Sequence, residues 1–296
     1  MHLSRKQIVL IVLVTLTWGV NWPVMKLGVT GFPPLTFRAI CLLLGVPVLG
    51  LALIVMKVPF FIARADWREL FWLSVTNMFV WHALIIVAVS LLSSGRAAIL
   101  GYTMPVFSAL LGALFYRTRL QPRQWLGVAA AAIGVALLLF NELNNLSGKP
   151  LGVALALMAA AVWAVGTQRL RMTQLPASTL AISFWMTALA ALVLCGLSLV
   201  FERDQWRLPP APTWAAIVYN GVMIFGFTHA AWFTLARSLP PIASTLSTMM
   251  VPIVGVFTGA LWLGEVLHWQ DWAAVLLMAV AIVTVLVAGS PRPAKS

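Results

Sequence analysis

Of the 296 residues, 62% are hydrophobic and only 9% are charged, which leaves no room for a soluble catalytic domain. A formal net charge of +12 would point a polar chain toward nucleic acid; here it must be explained inside a membrane. Crossing the hydrocarbon core takes a helix of about 20 apolar residues. Ten stretches meet that requirement, at 7–29, 33–55, 68–92, 95–116, 122–140, 150–170, 177–200, 213–236, 240–263 and 270–289.

The first stretch follows Arg5 and Lys6 and so imitates a signal peptide, but it lacks a small-residue cleavage motif and reads as a retained span. Trp18, Asn21, Trp22 and Met25 fall at i, i+3, i+4 and i+7 along it, a continuous stripe on one helix face. It ends in Lys26, expected at the interface. The second stretch holds Arg38 near its outer end, where snorkelling or bonds to backbone carbonyls are favoured over binding substrate. The third offers Ser74, Asn77 and Trp81 with His82 adjacent, and the fourth offers Tyr102. Mid-span Pro105 removes a backbone donor and bends the fourth stretch. The sixth contributes Trp163 and Thr167; the eighth contributes Phe225, Thr228, His229 and Trp232. In the ninth, Ser247, Thr248 and Met249 precede Pro252, which stands where Pro105 stands in the fourth. Ser108/Gly112 and Gly255/Gly259 flank the two prolines with the small-xxx-small spacing that lets helices approach closely. The fourth and ninth stretches are therefore expected to be bent inner elements with hinges at Pro105 and Pro252.

Tryptophans near span ends belong to the interfacial belt, the role expected of Trp67, Trp125, Trp206, Trp214, Trp269 and Trp272. Trp18, Trp22, Trp81 and Trp163 lie deeper and are candidates to line a cavity. A packing role is favoured over proton carriage for His82 and His229. Cys41 and Cys195 sit in apolar sequence and behave as small hydrophobes, with neither a disulfide nor a metal site expected.

Threading ten spans from a cytoplasmic N-terminus explains the positive charge. Arg5, Lys6, Lys57, Arg64, Arg68, Arg117, Arg119, Arg123, Arg169, Arg171, Arg237, Arg292 and Lys295 then face the cytoplasm. Only Lys26, Arg96, Lys149, Arg203 and Arg207 face the other side. That bias is the positive-inside rule, and it places both termini in the cytoplasm.

The second half echoes the first. Trp67/Trp214, His82/His229, Pro105/Pro252, Gly112/Gly259 and Trp125/Trp272 all differ by 147 positions. Pro33/Pro176 and Thr36/Thr179 differ by 143, and Trp18/Trp163 by 145, as unequal loops would produce. The fold class expected is an all-α membrane protein of ten transmembrane helices in two repeats, residues 1–145 and 146–296. Five spans per repeat is an odd number, so the halves insert upside down relative to each other. Inverted repeats are a recurrent plan of secondary transporters, with the substrate site near the midplane between the halves.

The run from Gly95 through Pro105 and Val106 resembles the fourth helix of the EamA-type drug/metabolite transporters, and Pro252 through Leu263-Gly264-Glu265 resembles its counterpart. Trp18-Gly19-Val20-Asn21-Trp22-Pro23 is similar to the family's first helix, and Arg38 matches an arginine of its second. The resemblance spans the whole chain. It departs where Arg117-Thr118 replaces the loop motif kept as Gly264-Glu265. It implies export of metabolites, often amino acids, across a bacterial inner membrane, and within the family the chain looks most like YddG-type exporters of aromatic amino acids.

Asp66, Glu69, Glu142, Glu202, Asp204, Glu265 and Asp271 all fall at span ends or in loops. Without a mid-span carboxylate, proton antiport of organic cations is disfavoured and passive uniport expected. Only His82 and His229 remain to carry a proton. Neither an HExxH metal motif nor a GxSxG nucleophile elbow occurs. No catalytic residue, cofactor or nucleic-acid partner is expected. The expected partners are the lipid bilayer and a small-molecule substrate, an amino acid, handled by a monomer. The candidate cavity residues are Trp18, Asn21, Trp22, Met25, Asn77, Trp81, His82, Tyr102, Trp163, Thr167, His229, Trp232 and Met249. The alternatives are a proton-coupled exporter of other metabolites or drugs, a membrane enzyme acting on lipid, and a non-transporting scaffold.

Overall fold

Uninterrupted apolar sequence leaves the backbone to satisfy its own hydrogen bonds, and in lipid the helix is the single-segment way to do so. The computed structural model describes residues 5–116, 121–144, 149–238 and 250–287, and these are helical almost throughout. Counting segments that continue one another as one rod, α1 is Arg5–Val29 and α2 is Pro34–Val55. α3 runs from Trp67–Ser74 through a π turn at Val75–Phe79 into Val80–Leu91. α4 has two segments, Ser94–Gly101 and Met104–Tyr116. Then come α5 (Pro122–Asn144), α6 (Pro150–Met172) and α7 (Thr179–Phe201). α8 joins Ala211–Tyr219, a π segment at Asn220–Thr228 and His229–Ser238. α9 is Val251–Leu263 and α10 is Trp269–Val287. Among the described residues, six helices are long and apolar enough to cross a membrane, and shorter apolar helices accompany them at Pro122–Leu138, Val251–Leu263 and Trp269–Ala281.

The packing has a symmetry that the sequence shift implied. α2 packs on α8 as α7 packs on α3; α3 packs on α6 as α8 packs on α1; α1 packs on α9 as α6 packs on α4. The pairs α2·α7, α4·α9 and α5·α10 exchange into themselves. The same contacts recur when α1–α5 are exchanged with α6–α10. Close approach relies on glycine, because lipid tails give helices no hydrophobic reason to associate. A Cβ on Gly255 would press on Ala98 of α4 and the Trp22 ring of α1, and one on Gly19 would overlap Val254 of α9.

Pro105 does not kink a continuous helix. α4 breaks at Tyr102–Thr103, and Pro105 sits in the first turn of the new segment, where a missing N–H costs little. Pro252 occupies the first turn of α9 in the same way. Arg117, Arg119, Ser247, Thr248 and Met249 lie outside the described residues.

One end of the bundle gathers several charged and polar groups. Half-buried Lys26, at the end of α1, donates from Nζ to the carbonyls of Val89, Ser90 and Leu92 at 3.1, 3.2 and 2.7 Å, closing the C-terminus of α3. Carboxylates at helix ends reach the starts of other helices. Glu202, at the end of α7, accepts from the backbone N–H groups of Leu35 and Thr36 and from the Thr36 hydroxyl, capping α2 from a distance. Gly264 closes α9 in the left-handed region at φ 64°, where glycine meets no Cβ penalty. The next residue, Glu265, accepts from Ser94 N, Ser94 Oγ and Gly95 N at the start of α4. Beside it, Arg96 Nε donates to Asp271 Oδ1 at 2.8 Å with both side chains buried.

Candidate functional site

The stripe on α1 predicts an inward face, and the π turns of α3 and α8 bring the matching groups to it. A π turn inserts one residue per turn, shifts the side-chain register and recurs at functional sites. In both rods it carries a buried asparagine whose Nδ2 donates to the carbonyl four residues back: Asn77 to Leu73, Asn220 to Ala216. Just beyond each turn stands a histidine, and the two meet across the halves with Nε2···Nε2 at 3.2 Å.

The hydrogen between the two rings can be assigned. His229 Nδ1 faces the Ile224 carbonyl at 2.9 Å, and a carbonyl only accepts. Nδ1 therefore carries the hydrogen, Nε2 of neutral His229 is bare, and His82 Nε2 donates. His82 Nδ1 is then a bare acceptor, and it is buried without a partner.

Aromatic rings pack against this pair. The Trp18 ring lies 6.3 Å from Trp163, 5.4 Å from Trp232 and 5.7 Å from His229 between centroids. Trp81 lies 5.1 Å from Trp163, while Phe225 stacks on His229 at 5.2 Å and 13°. At the edge of the cluster Trp22 meets Tyr102 at 6.3 Å, beside the break in α4. Gly101 lets them close: a Cβ there would stand 2.8 Å from the Trp22 ring. Four tryptophans from α1, α3, α6 and α8 thus form one cluster, and Trp18 and Trp163 bring it against His229 at 5.7 and 5.9 Å.

The structure therefore brings together Trp18, Trp81, His82, Trp163, His229 and Trp232, with Trp22 and Tyr102 adjoining. Asn21 and Thr167 lie one turn along α1 and α6 from Trp18 and Trp163. Asn77 turns back to its own helix, and its amide abuts Gly166 of α6. Met25 leaves the tryptophan group to contact Arg38, whose expected snorkelling is overturned. Arg38 is fully buried, with Nη1 donating to Asn220 Oδ1 at 3.1 Å and Nη2 to Met25 Sδ at 2.6 Å. Its guanidinium lies 5.5 Å from the Phe225 ring centre, within cation–π range. Phe233, 6.3 Å from Trp163 in a stacked arrangement, escaped the sequence reading. Its spacing of four from His229 was the available signal. Of the tryptophans assigned to the belt, Trp125, Trp206, Trp214, Trp269 and Trp272 are exposed, and half-buried Trp67 packs edge-on against Trp185 at 5.0 Å.

Buried polar atoms without partners are rare in folded proteins, and each invites an explanation. Here they concentrate around the aromatic centre: Asn21 Oδ1, Asn77 Oδ1, His82 Nδ1, Thr167 Oγ1, Trp232 Nε1 and Arg38 Nε. Three of the six are acceptors only, two are donors only, and the hydroxyl is both. Among the described residues, no group of three or more His, Cys, Asp or Glu is placed to hold a metal ion.

The profile of the EamA-like transporter family matches residues 5–140 and again residues 150–287. The chain belongs to that family. Among EamA relatives, "Uncharacterized inner membrane transporter YedA" of Escherichia coli (strain K12) is 30% identical over 94% of this chain and 90% of its own. The "Probable amino-acid metabolite efflux pump" of the same strain is 27% identical over 93% of each chain. "Uncharacterized transporter YoaV" of Bacillus subtilis is 24% identical over 92% of each. A solved crystal structure at 18% identity superposes with a TM-score of 0.69 over 96% of this chain and 98% of the other, a likeness of fold. Multi-pass insertion in the inner membrane follows from the EamA relatives and the apolar helices.

Proposed function

We propose that this EamA transporter exports amino acids with large apolar side chains, aromatic ones foremost, by alternating access as a monomeric uniporter. The observation that carries the reading is the cluster of Trp18, Trp81, Trp163 and Trp232, drawn from both halves and packed against buried His229 of the histidine pair. Aromatic walls suit an aromatic side chain, since such ring pairs add about 0.5–1.5 kcal/mol beyond area burial. Asn21, Thr167 and the other unpartnered polar atoms suit the zwitterionic head. One relative carries the name of an amino-acid metabolite efflux pump, which agrees with this substrate class. Ten crossings in two inverted five-helix repeats, residues 1–145 and 146–296, are supported by the exchange symmetry of the packing and by the double family match. The Lys and Arg bias supports cytoplasmic termini.

Efflux from liposomes loaded with each of the twenty amino acids tests the reading. Trp163→Ala is expected to slow phenylalanine and tryptophan by up to about tenfold and threonine much less, whereas Trp272→Ala spares all three. Equal losses for every substrate place the binding site elsewhere. For topology, cysteines at Asn145 and Arg203 should label from outside and those at Arg64 and Arg119 only after permeabilisation. External labelling of Arg119→Cys in intact cells removes the ten-span model.

A second reading, proton-coupled export, is favoured by the histidine pair, whose Nε2···Nε2 contact holds one hydrogen and is broken by a second. Uphill movement of substrate under an imposed pH difference, abolished in His82→Gln, would replace uniport with coupling.

A further inference from the structure

Arg38 is a full charge buried among the apolar rods of the first half, and no carboxylate meets it among the described residues. Its recorded partners are a thioether, an amide oxygen and the faces of Phe37 and Phe225. A thioether is a weak acceptor, and an amide carries no charge to balance a guanidinium. Arginine at such depth is costly and marks substrate pathways when it is kept, and its planar fork fits a carboxylate with two parallel hydrogen bonds. Nε, one half of that fork, is buried with nothing to bond.

We propose that Arg38 is the anchor for the substrate's carboxylate, and that Met25 and Asn220 occupy its donors while the site is closed. This rests on the amino-acid reading given above and narrows it to solutes bearing a free carboxylate. Three features agree. Asn220 is held by its own Nδ2 bond to Ala216, which aims Oδ1 at the guanidinium. Met25 stands two turns along α1 from Trp18, so one helix face serves both the cation and the aromatic centre. The Phe225 ring is shared, with Arg38 over it and His229 stacked on it, so a single ring separates anchor from cage. A carboxylate on Arg38 therefore leaves the side chain of an α-amino acid directed at the tryptophans. The unpartnered acceptors Asn21 Oδ1, Asn77 Oδ1 and His82 Nδ1 provide for the ammonium.

The site is single. At the shift of 143 that aligns Thr36 with Thr179, Arg38 aligns with Ala181, and Asn77 Oδ1 has no cation on it. The exchange of halves thus finds one such arginine and not two.

The test compares L-phenylalanine, L-phenylalaninamide and 3-phenylpropionate on the full-length protein, by efflux from liposomes and by ligand-induced shift of the melting temperature in detergent. The wild type should handle phenylalanine and bind 3-phenylpropionate, with the amide at least tenfold weaker. A charge-assisted hydrogen bond supports a ratio on the order of tenfold to a hundredfold. Arg38→Gln should abolish that preference by weakening the two acids and sparing the amide, and Arg38→Lys should restore part of it. A wild type that treats acid and amide alike overturns the proposal without need of any variant. So does an Arg38→Gln protein whose preference survives while flux falls equally for all probes, the mark of a purely structural residue. If no amino acid moves but 3-phenylpropionate still binds in an Arg38-dependent way, the anchor stands and the amino-acid reading falls.

Discussion

At the end of the bundle where α1, α3 and α7 finish and α2, α4 and α10 begin, the buried carboxylate of Glu202 and the half-buried one of Glu265 reach across to the starts of other helices. At the opposite end the corresponding place beside α7 is taken by a cation. Thr36 opens α2 and receives Glu202; its repeat partner Thr179 opens α7 and receives Arg237, exposed, whose Nη1 donates to Thr179 Oγ1 at 2.9 Å. A helix start carries partial positive charge, so the carboxylate is favourable there and the guanidinium is not. The charged pairs differ likewise. Arg96–Asp271 is buried, whereas Arg169–Glu69, at 2.5 Å, has side chains 41% and 30% exposed. At the shift of 147 that aligns the histidines, Glu265 aligns with Thr118, Asp271 with Gln124 and Arg96 with Ala243. The lock at one end has no residues of the same charge at the aligned positions of the other. Two halves of one architecture can thus be given unequal ends, which an alternating carrier needs if one closed state is to be favoured.

Breaking the lock at its most buried point should give the largest effect. Asp271→Asn leaves Arg96 without the carboxylate that faces Nε and weakens the acceptor for His268 N. Removing one partner of a buried pair costs about 3–5 kcal/mol. Thermal unfolding in detergent should show this as a large drop in melting temperature, against little change for Glu69→Gln. Equal shifts for the two variants would erase the contrast between the ends.

The caps come next. Glu265→Gln keeps an acceptor at the start of α4 but removes its charge, and Glu202→Ala removes the whole cap from α2. Losses of about 0.5–2 kcal/mol are expected, with Ala the larger. A cysteine at Tyr102, beside the break in α4, should become more reactive in both variants as that end opens more often. Unchanged reactivity alongside reduced stability would make the caps packing features only.

How much of this was legible beforehand depends on the kind of signal. The rods were legible because an apolar run long enough to cross a bilayer has few other uses, and the exchange symmetry because Trp, His and Pro coincide in one frame. The aromatic centre followed from helical spacing: Trp18, Asn21 and Trp22 share a face whatever that face meets. The caps were not legible. Glu202 and Glu265 act on helices more than 160 residues away, and a residue in a loop gives no local sign of the helix start it will reach. Arg38 was misjudged for a related reason. Near a span end a long side chain can snorkel, and only the placement of Asn220 and Phe225 shows that this one points inward. The π turns have no composition cue at all, yet they set the register that brings His82 to His229.

The prolines should matter to rate more than to stability. Pro105 and Pro252 occupy first-turn positions, so Pro→Ala restores a donor that nothing there requires. Melting temperatures are expected to move little. If the break before Pro105 lets the segments of α4 move separately, export by Pro105→Ala and Pro252→Ala should slow several-fold. Unchanged export in both single variants and the double variant would remove the hinge role.

The smallest effect sharpens the comparison instead of breaking it. Arg237→Glu would place a carboxylate near the start of α7, as Glu202 stands near the start of α2. The exposed contact it removes is worth about 0–1 kcal/mol, and a carboxylate at a helix N-terminus returns about 0.3–1 kcal/mol. Arg237 also stands in the last turn of α8, where a cation is favoured and a carboxylate costs about as much as the start of α7 returns. Net stability should therefore change by less than about 1 kcal/mol, and less still at high salt, where the Debye length shortens. Transport should slow, because an end that formerly opened readily now carries part of the lock of the other. Arg237→Gln removes the same contact without supplying the anion, and separates the two contributions. If the Glu and Gln variants transport alike, the difference between the ends lies in buried packing and not in the charge offered to the helix start.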